Sequence, residues 1–167
     1  MKSIKHLIVL SVSVLLFGCG PYSFTGVQDL KAETFQVNYF QNTARLIEPG
    51  LDRDFTLALQ DLIVNQTNLN LTNTNGDLVY EGEIVEYRIS PTTAQADNTA
   101  AQNRLTIGVN VRFYDKDEPD EEFEQRFSFF FDYDGSDQLI GAQKTAAHEE
   151  IFERITQDIF NATLAKW

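Results

Sequence analysis

Two neighbouring runs constrain the fold more than any other feature of the chain. Leu105, Ile107, Val109, Val111 and Phe113 alternate with more polar residues. After an acidic turn from Asp115 to Glu122, Phe123, Phe127, Phe129, Phe131 and Tyr133 keep the same spacing. Alternation of this length marks a strand with one buried face, so the two runs are read as an antiparallel pair. Inward residues must oppose inward residues, which means that facing residue numbers sum to an even value. A sum of 236 sets Val109 against Phe127, Ile107 against Phe129 and Leu105 against Phe131. On the outer face the same sum sets Arg112 against Glu124 and Arg104 against Asp132, whereas 234 would set Arg104 against Phe130. Opposite-charge cross-strand pairs contribute roughly 0.2 to 1 kcal/mol each. The sum of 236 is therefore expected.

The amino-terminal segment says where such a domain is sent. Met1-Lys2-Ser3-Ile4-Lys5-His6 is basic, and the apolar run from Leu7 to Phe17 follows it. That run is shorter than the roughly 20 residues a spanning helix needs. A charged start, a short apolar stretch and small residues at a cut site make an export signal. Cys19 is the only cysteine in the chain, and Leu16-Phe17-Gly18-Cys19 resembles the bacterial lipobox, whose cysteine is acylated before the signal is removed. An ordinary secretory signal is the alternative. Residues 1–18 are read as a lipoprotein signal peptide, 19–33 as a lipidated tether and 34–167 as one domain. With Cys19 consumed by lipid, no thiol is left for a disulfide in an oxidising compartment.

Removing residues 1–18 takes away Lys2 and Lys5 and no acid, leaving 11 basic against 25 acidic side chains, or −14. Such a surface repels nucleic acid and anionic head groups, which excludes nucleic-acid binding. The 149 residues that remain of 167 make a single domain able to bury a core without staples.

Along that domain, Thr34 to Phe40 reads as a strand with Phe35, Val37 and Tyr39 on one face. After Pro49-Gly50, Leu51, Phe55, Leu59, Leu62 and Ile63 line a helix ending near Asn65, with Asp52 and Asp54 in its first turn. A short strand near Leu69 and Leu71 precedes Asn75-Gly76, a strong hairpin signal toward a strand from Leu78 to Ile89. Inward positions in that strand change parity from Leu78 and Tyr80 to Val85, Tyr87 and Ile89. A bulge is expected at Gly82. Ser90 to Gln102 holds no large apolar residue and reads as a long solvent loop. Asp134-Gly135-Ser136-Asp137 supplies turn and cap chemistry for a last helix over about 142–165, with Ile151, Phe152, Ile155, Ile159, Phe160, Leu164 and Trp167 on its stripe. The expected fold is α+β: a two-layer sandwich, one mostly antiparallel mixed sheet with two helices packed on one face. The other sheet face is polar, with Phe130 an exposed exception.

The residues do not assemble an enzyme. His148 is the one histidine left after signal removal, and His148-Glu149-Glu150-Ile151-Phe152 lacks the second histidine of a zinc-protease helix. His148 is read as a polar residue at the helix edge. Asp132, Asp134 and Asp137 around Gly135 lack the spacing and terminal glutamate of a calcium loop. No catalytic, metal or cofactor residue is singled out, and Cys19 is the single site expected.

Cys19-Gly20-Pro21-Tyr22-Ser23-Phe24-Thr25-Gly26 resembles the mature start of the LPS-assembly lipoprotein LptE family in its Bacteroidetes-type version. Thr156-Gln157-Asp158-Ile159-Phe160-Asn161, running on to Trp167, is similar to that family's closing helix. The resemblance implies an outer-membrane lipoprotein that faces the periplasm and inserts into the lumen of the LptD β-barrel. There it would plug the barrel, help it assemble and assist lipopolysaccharide transport to the cell surface. Direct lipopolysaccharide binding in the family is attributed to basic residues, and no glycolipid-contact position matches in this acidic chain. An independent periplasmic lipoprotein binding a peptide or glycan is the competing class.

Overall fold

The computed structural model describes residues 31–92, 102–134 and 138–165. The signal and Cys19, residues 93–101, residues 135–137 and Trp167 lie outside the described residues, and Ser90, Pro91 and Gln102, expected in a loop, are instead strand residues. The elements are β1 (Thr34–Val37), β2 (Gln41–Asn42), α1 (Leu51–Gln66), β3 (Asn70–Leu71), β4 (Leu78–Pro91), β5 (Gln102–Asp115), β6 (Phe123–Asp134) and α2 (Gly141–Thr163). A 3-10 turn, Pro119–Glu121, links β5 to β6. The sheet runs β3-β1-β4-β5-β6, with β2 also on β4. β4, β5 and β6 are antiparallel, and β1, β2 and β3 join by parallel pairs.

β5 and β6 pair with the expected sum of 236 throughout, Arg104 opposite Asp132 and Val109 opposite Phe127. Leu105, Ile107, Val109, Val111 and Phe113 are all buried, as one inward face requires. Both helices close that face. Phe40 meets Phe55 edge-on at 5.2 Å, and Phe55 meets Phe152 at 5.4 Å, so one aromatic chain ties the β1–β2 link to α1 and α2. Such pairs add about 0.5 to 1.5 kcal/mol beyond area burial. Tyr80 is wholly buried beneath α2, and its hydroxyl lies 3.0 Å from Thr163 Oγ1. Thr163 Oγ1 donates to the Ile159 carbonyl at 2.9 Å, which leaves Tyr80 as the donor between the two hydroxyls.

Four expectations are corrected. The chain pairs without interruption through Gly82, opposite Val111, and the β4 bulge lies at Val85, between Ile84 and Glu86. The parity change is real but falls three residues later. Gly82 answers a different need, because Phe40 and the Asn110 carbonyl press against its inward side. The second correction is next to it. Four steps from Val37 to Gln41 match only three from Tyr80 to Glu83, so the extra residue sits in the β1–β2 link. It turns Tyr39 out to solvent and Phe40 into the core, where the Phe40 N–H donates to Thr56 Oγ1 at 3.2 Å.

Third, Asn75-Gly76 does not close a hairpin. β3 and β4 flank β1 on opposite sides and both run parallel to it, so the turn is a crossover. Asn75 takes the left-handed conformation (φ 55°), and a Cβ on Gly76 would lie 2.8 Å from the Gln36 nitrogen. The turn signal was local and correct; the partner strand was not encoded in it. Fourth, α2 begins at Gly141 with Ile140 at its N-cap and no side-chain cap bond, so its cap is not drawn from Asp134–Asp137.

Asp77 pins this crossover to β1. Its Oδ2 accepts from the Glu33 N–H (3.2 Å), the Thr34 N–H (3.0 Å) and the Thr34 hydroxyl (2.7 Å). Those bonds, the hydroxyl's first, hold its carboxyl below the usual range. A folded-state pKa below the unfolded one stabilises the fold above the unfolded value, about 3.9, and that contribution is lost as pH falls toward the folded value. Asp77→Asn should therefore be less stable than the parent at neutral pH, with the gap closing in acid. Urea midpoints at several pH values test this, and a gap independent of pH would contradict it.

Candidate functional site

On the outer face of β4, β5 and β6 stand four arginines, each matched to an acid. Arg104 binds Asp132 with two parallel bonds of 2.7 and 2.8 Å, and its guanidinium also lies 3.6 Å above the Phe130 ring. These bonds hold Asp132 below the ordinary carboxylate range. Arg126 and Arg88 both reach Glu86. Arg112 sits between Glu81 on β4 and Glu124 on β6 in register, and its guanidinium approaches Glu81 at 3.9 Å. Both expected outer-face pairs thus stand opposite each other in register, while the ion pair of Arg112 goes to β4 rather than to Glu124. The face is charge-compensated, with Phe130 exposed on it as expected.

His148 lies on the sheet-facing flank of α2, with Nε2 3.2 Å from the Tyr87 hydroxyl and its ring stacked on Phe152 at 5.9 Å. Burial lowers its pKa, and burial raises that of Tyr87 to about 12. Both are therefore neutral at physiological pH. His148 is a packed, hydrogen-bonded residue at the helix edge. Among the described residues no group of three or more His, Cys, Asp or Glu is placed to hold a metal. Asp132 is held by Arg104, and Asp137 lies outside the described residues.

Two surface features went unread in the sequence. A cleft of about 520 Å³ between α1 and α2 is lined by Leu57, Leu62 and Phe152 together with Asp61, Glu149 and Glu153. A second, of about 430 Å³, lies where Leu46 meets Val85 and Ile89 beside the β4 bulge. The neighbours Leu46 and Ile47 are exposed. Neither feature has a periodic signature, because each is assembled from separate elements.

A family profile described as LptE, lipopolysaccharide-assembly, matches residues 32–163. The chain belongs to the LptE family. The match spans nearly all of the described domain, and the family is one of non-enzymatic lipopolysaccharide-assembly lipoproteins. No protein with a curated description matches the sequence. Among solved structures, a hypothetical protein from Chlamydia trachomatis is 13% identical with a TM-score of 0.54, covering 81% of this chain and 99% of that one. The PelC dodecamer subunit from Paraburkholderia phytofirmans is 9% identical with a TM-score of 0.51, covering 81% and 92%. A minor lipoprotein from Acinetobacter baumannii is 13% identical with a TM-score of 0.46, covering 80% and 92%. At such identities the first two likenesses are ones of fold. The LptE-family domain holds, among its described residues, no helix long and apolar enough to cross a membrane.

Proposed function

We propose that this LptE-family protein is an outer-membrane lipoprotein, anchored through acyl chains on Cys19, that serves as the plug and assembly partner of an LptD-like β-barrel in lipopolysaccharide transport. The observation that carries the reading is the family match over residues 32–163. The fold is compatible with it. A two-layer wedge whose open sheet face has Arg88, Arg104 and Arg126 already paired with acids suits a polar barrel lumen. The same pairing argues against that face as the place where an anionic glycolipid is held, since the arginines that would bind it are engaged with acids. The role proposed is therefore that of a barrel partner, with the domain on the periplasmic side and inserted in the barrel.

The test is affinity purification of the tagged full chain from detergent-solubilised membranes. A large β-barrel should co-purify in a ratio near one to one and survive a wash in high salt. Recovery of the chain without any barrel would overturn the reading and favour an independent periplasmic binding protein.

A further inference from the structure

α1 and α2 lie side by side and run the same way. Lys144 in the first turn of α2 donates to Glu48 just before α1 (2.6 Å), Phe152 meets Phe55, and Gln66 at the end of α1 donates to Gln157 (3.1 Å). The cleft between the helices has the same period on both walls. On α1 its lining residues recur at alternating steps of three and one from Asp54 to Asn65, and on α2 they do so from Thr145 to Thr156. Each wall is thus one helix face, roughly 16 Å long at 1.5 Å per residue. A seam of this kind suits a third helix, whose side-chain ridges fit between the other two. An extended strand does not suit it. The walls satisfy their own backbone groups, so a strand laid there would find no partners for its N–H and C=O groups, whereas a helix brings its bonds with it.

The side chains say what kind of helix. Leu57 is 47% exposed although it lines the cleft with Ala58 and Leu62. The charges that line it are Asp54, Asp61, Glu149 and Glu153, with no lysine or arginine among them. Asp54 is held by Arg53, but among the described residues no ion pair engages Asp61, Glu149 or Glu153, all of them exposed. The open sheet face is the opposite case, since its arginines and acids neutralise one another.

We propose that this cleft receives a basic amphipathic helix of a partner polypeptide. Its apolar face would cover Leu57, Ala58 and Leu62, and its lysines or arginines would meet Asp61, Glu149 and Glu153. The chain does not supply that helix itself. Residues 20–30, 93–101 and 135–137, which lie outside the described residues, contain no lysine or arginine. A second copy, at −14 after residue 18, would set acids against acids. One helix per cleft leaves the open sheet face uncovered and a complex with one barrel intact, so the inference stands apart from the barrel reading.

The test titrates the full chain, purified in detergent, against a labelled synthetic peptide and reads fluorescence anisotropy, with detergent alone as the blank. The peptide is a helix of about 16 residues with leucines on one face and lysines flanking them. A second peptide replaces every lysine with glutamate. The lysine peptide should bind and the glutamate peptide should not. Asp61→Lys with Glu149→Lys should weaken binding about tenfold, whereas Asp120→Lys with Glu122→Lys, the same charge change in the β5–β6 turn, should weaken it less than about twofold. Leu57→Ser should also weaken it about tenfold, with the parent's melting temperature, because Leu57 is half-exposed. Binding of both peptides or of neither, or equal losses from the two charge-reversed pairs, would overturn the proposal. So would a dimer of the parent chain in sedimentation that Leu57→Ser dissolves, which would give the cleft to a second copy. The two peptides and Leu57→Ser decide the matter even if a charge-reversed variant fails to fold.

Discussion

Replacing Gly82 with alanine is expected to destabilise the domain by about 3 kcal/mol or more, at or beyond the upper end of overpacking costs. A Cβ there would lie 2.1 Å from the Asn110 carbonyl oxygen and 2.6 Å from Cε1 of Phe40. The oxygen belongs to a backbone held in the middle of the β4–β5 ladder, and the ring is wedged against Phe55. Neither can swing aside without opening the sheet or breaking the Phe40–Phe55–Phe152 chain. Gly108 is the control. It lies in the same ladder, opposite Glu86, but its Cβ would meet only the Arg126 guanidinium at 3.0 Å and the Glu86 Cβ at 3.2 Å. Those are outer-face side chains of which Arg126 is long and exposed, so Gly108→Ala should cost well under half as much. Urea unfolding of the two variants measures both. Against a typical total of about 5 to 15 kcal/mol, the first change brings the protein close to its folding threshold and the second does not. Equal costs would mean that the contact at Gly82 is not as close as the structure places it.

Gly82 also shows which parts of the fold could be read in advance. The β5–β6 register was legible because two independent constraints, inward alternation and outer-face charge, agree on one sum at every step. The α1 stripe was legible because Leu51, Phe55, Leu59 and Ile63 obey one period and are all buried, with Leu62 half-buried at its margin. What could not be read is non-local. The parity change in β4 could be absorbed at any residue between Tyr80 and Tyr87, and glycine drew the bulge to the wrong place. Gly82 is small because Phe40 needs the space, and that demand comes from a segment some forty residues earlier. The Asn75-Gly76 turn failed for a related reason. A left-handed asparagine followed by glycine reverses a chain equally well in a hairpin and in a crossover, and only the parallel pairing of β1 distinguishes them. On the functional side, the Arg104–Asp132 pair was legible, whereas the cleft of α1 and α2 requires knowing that the two helices lie side by side.

Changing Cys19 to serine is expected to release the protein from the membrane while leaving its fold untouched. The physical argument begins with what else could hold it. The domain after residue 18 carries −14, so electrostatic attraction to anionic head groups is unfavourable rather than weak. Among the described residues no helix can span a bilayer, and both helices turn their apolar stripes into the core. On the proposed reading, attachment rests on acyl chains at Cys19, each contributing about 0.8 kcal/mol per buried CH₂. One chain alone binds reversibly, with an association constant near about 10⁴ M⁻¹, and two or more make attachment effectively permanent. The parent chain should therefore stay in the membrane pellet through washes in high salt and at alkaline pH, with a mature mass that includes the acyl groups. The serine variant should lose the acyl mass and appear in the soluble fraction with the melting temperature of the parent's domain, because the core of the described residues, from Phe35 to Ala165, is unchanged in sequence. It should also lose the barrel in co-purification, since tethering raises the local concentration of the domain at its partner. A parent chain that carries a free thiol at Cys19, or that washes off in salt, would show that lipid is not what holds it.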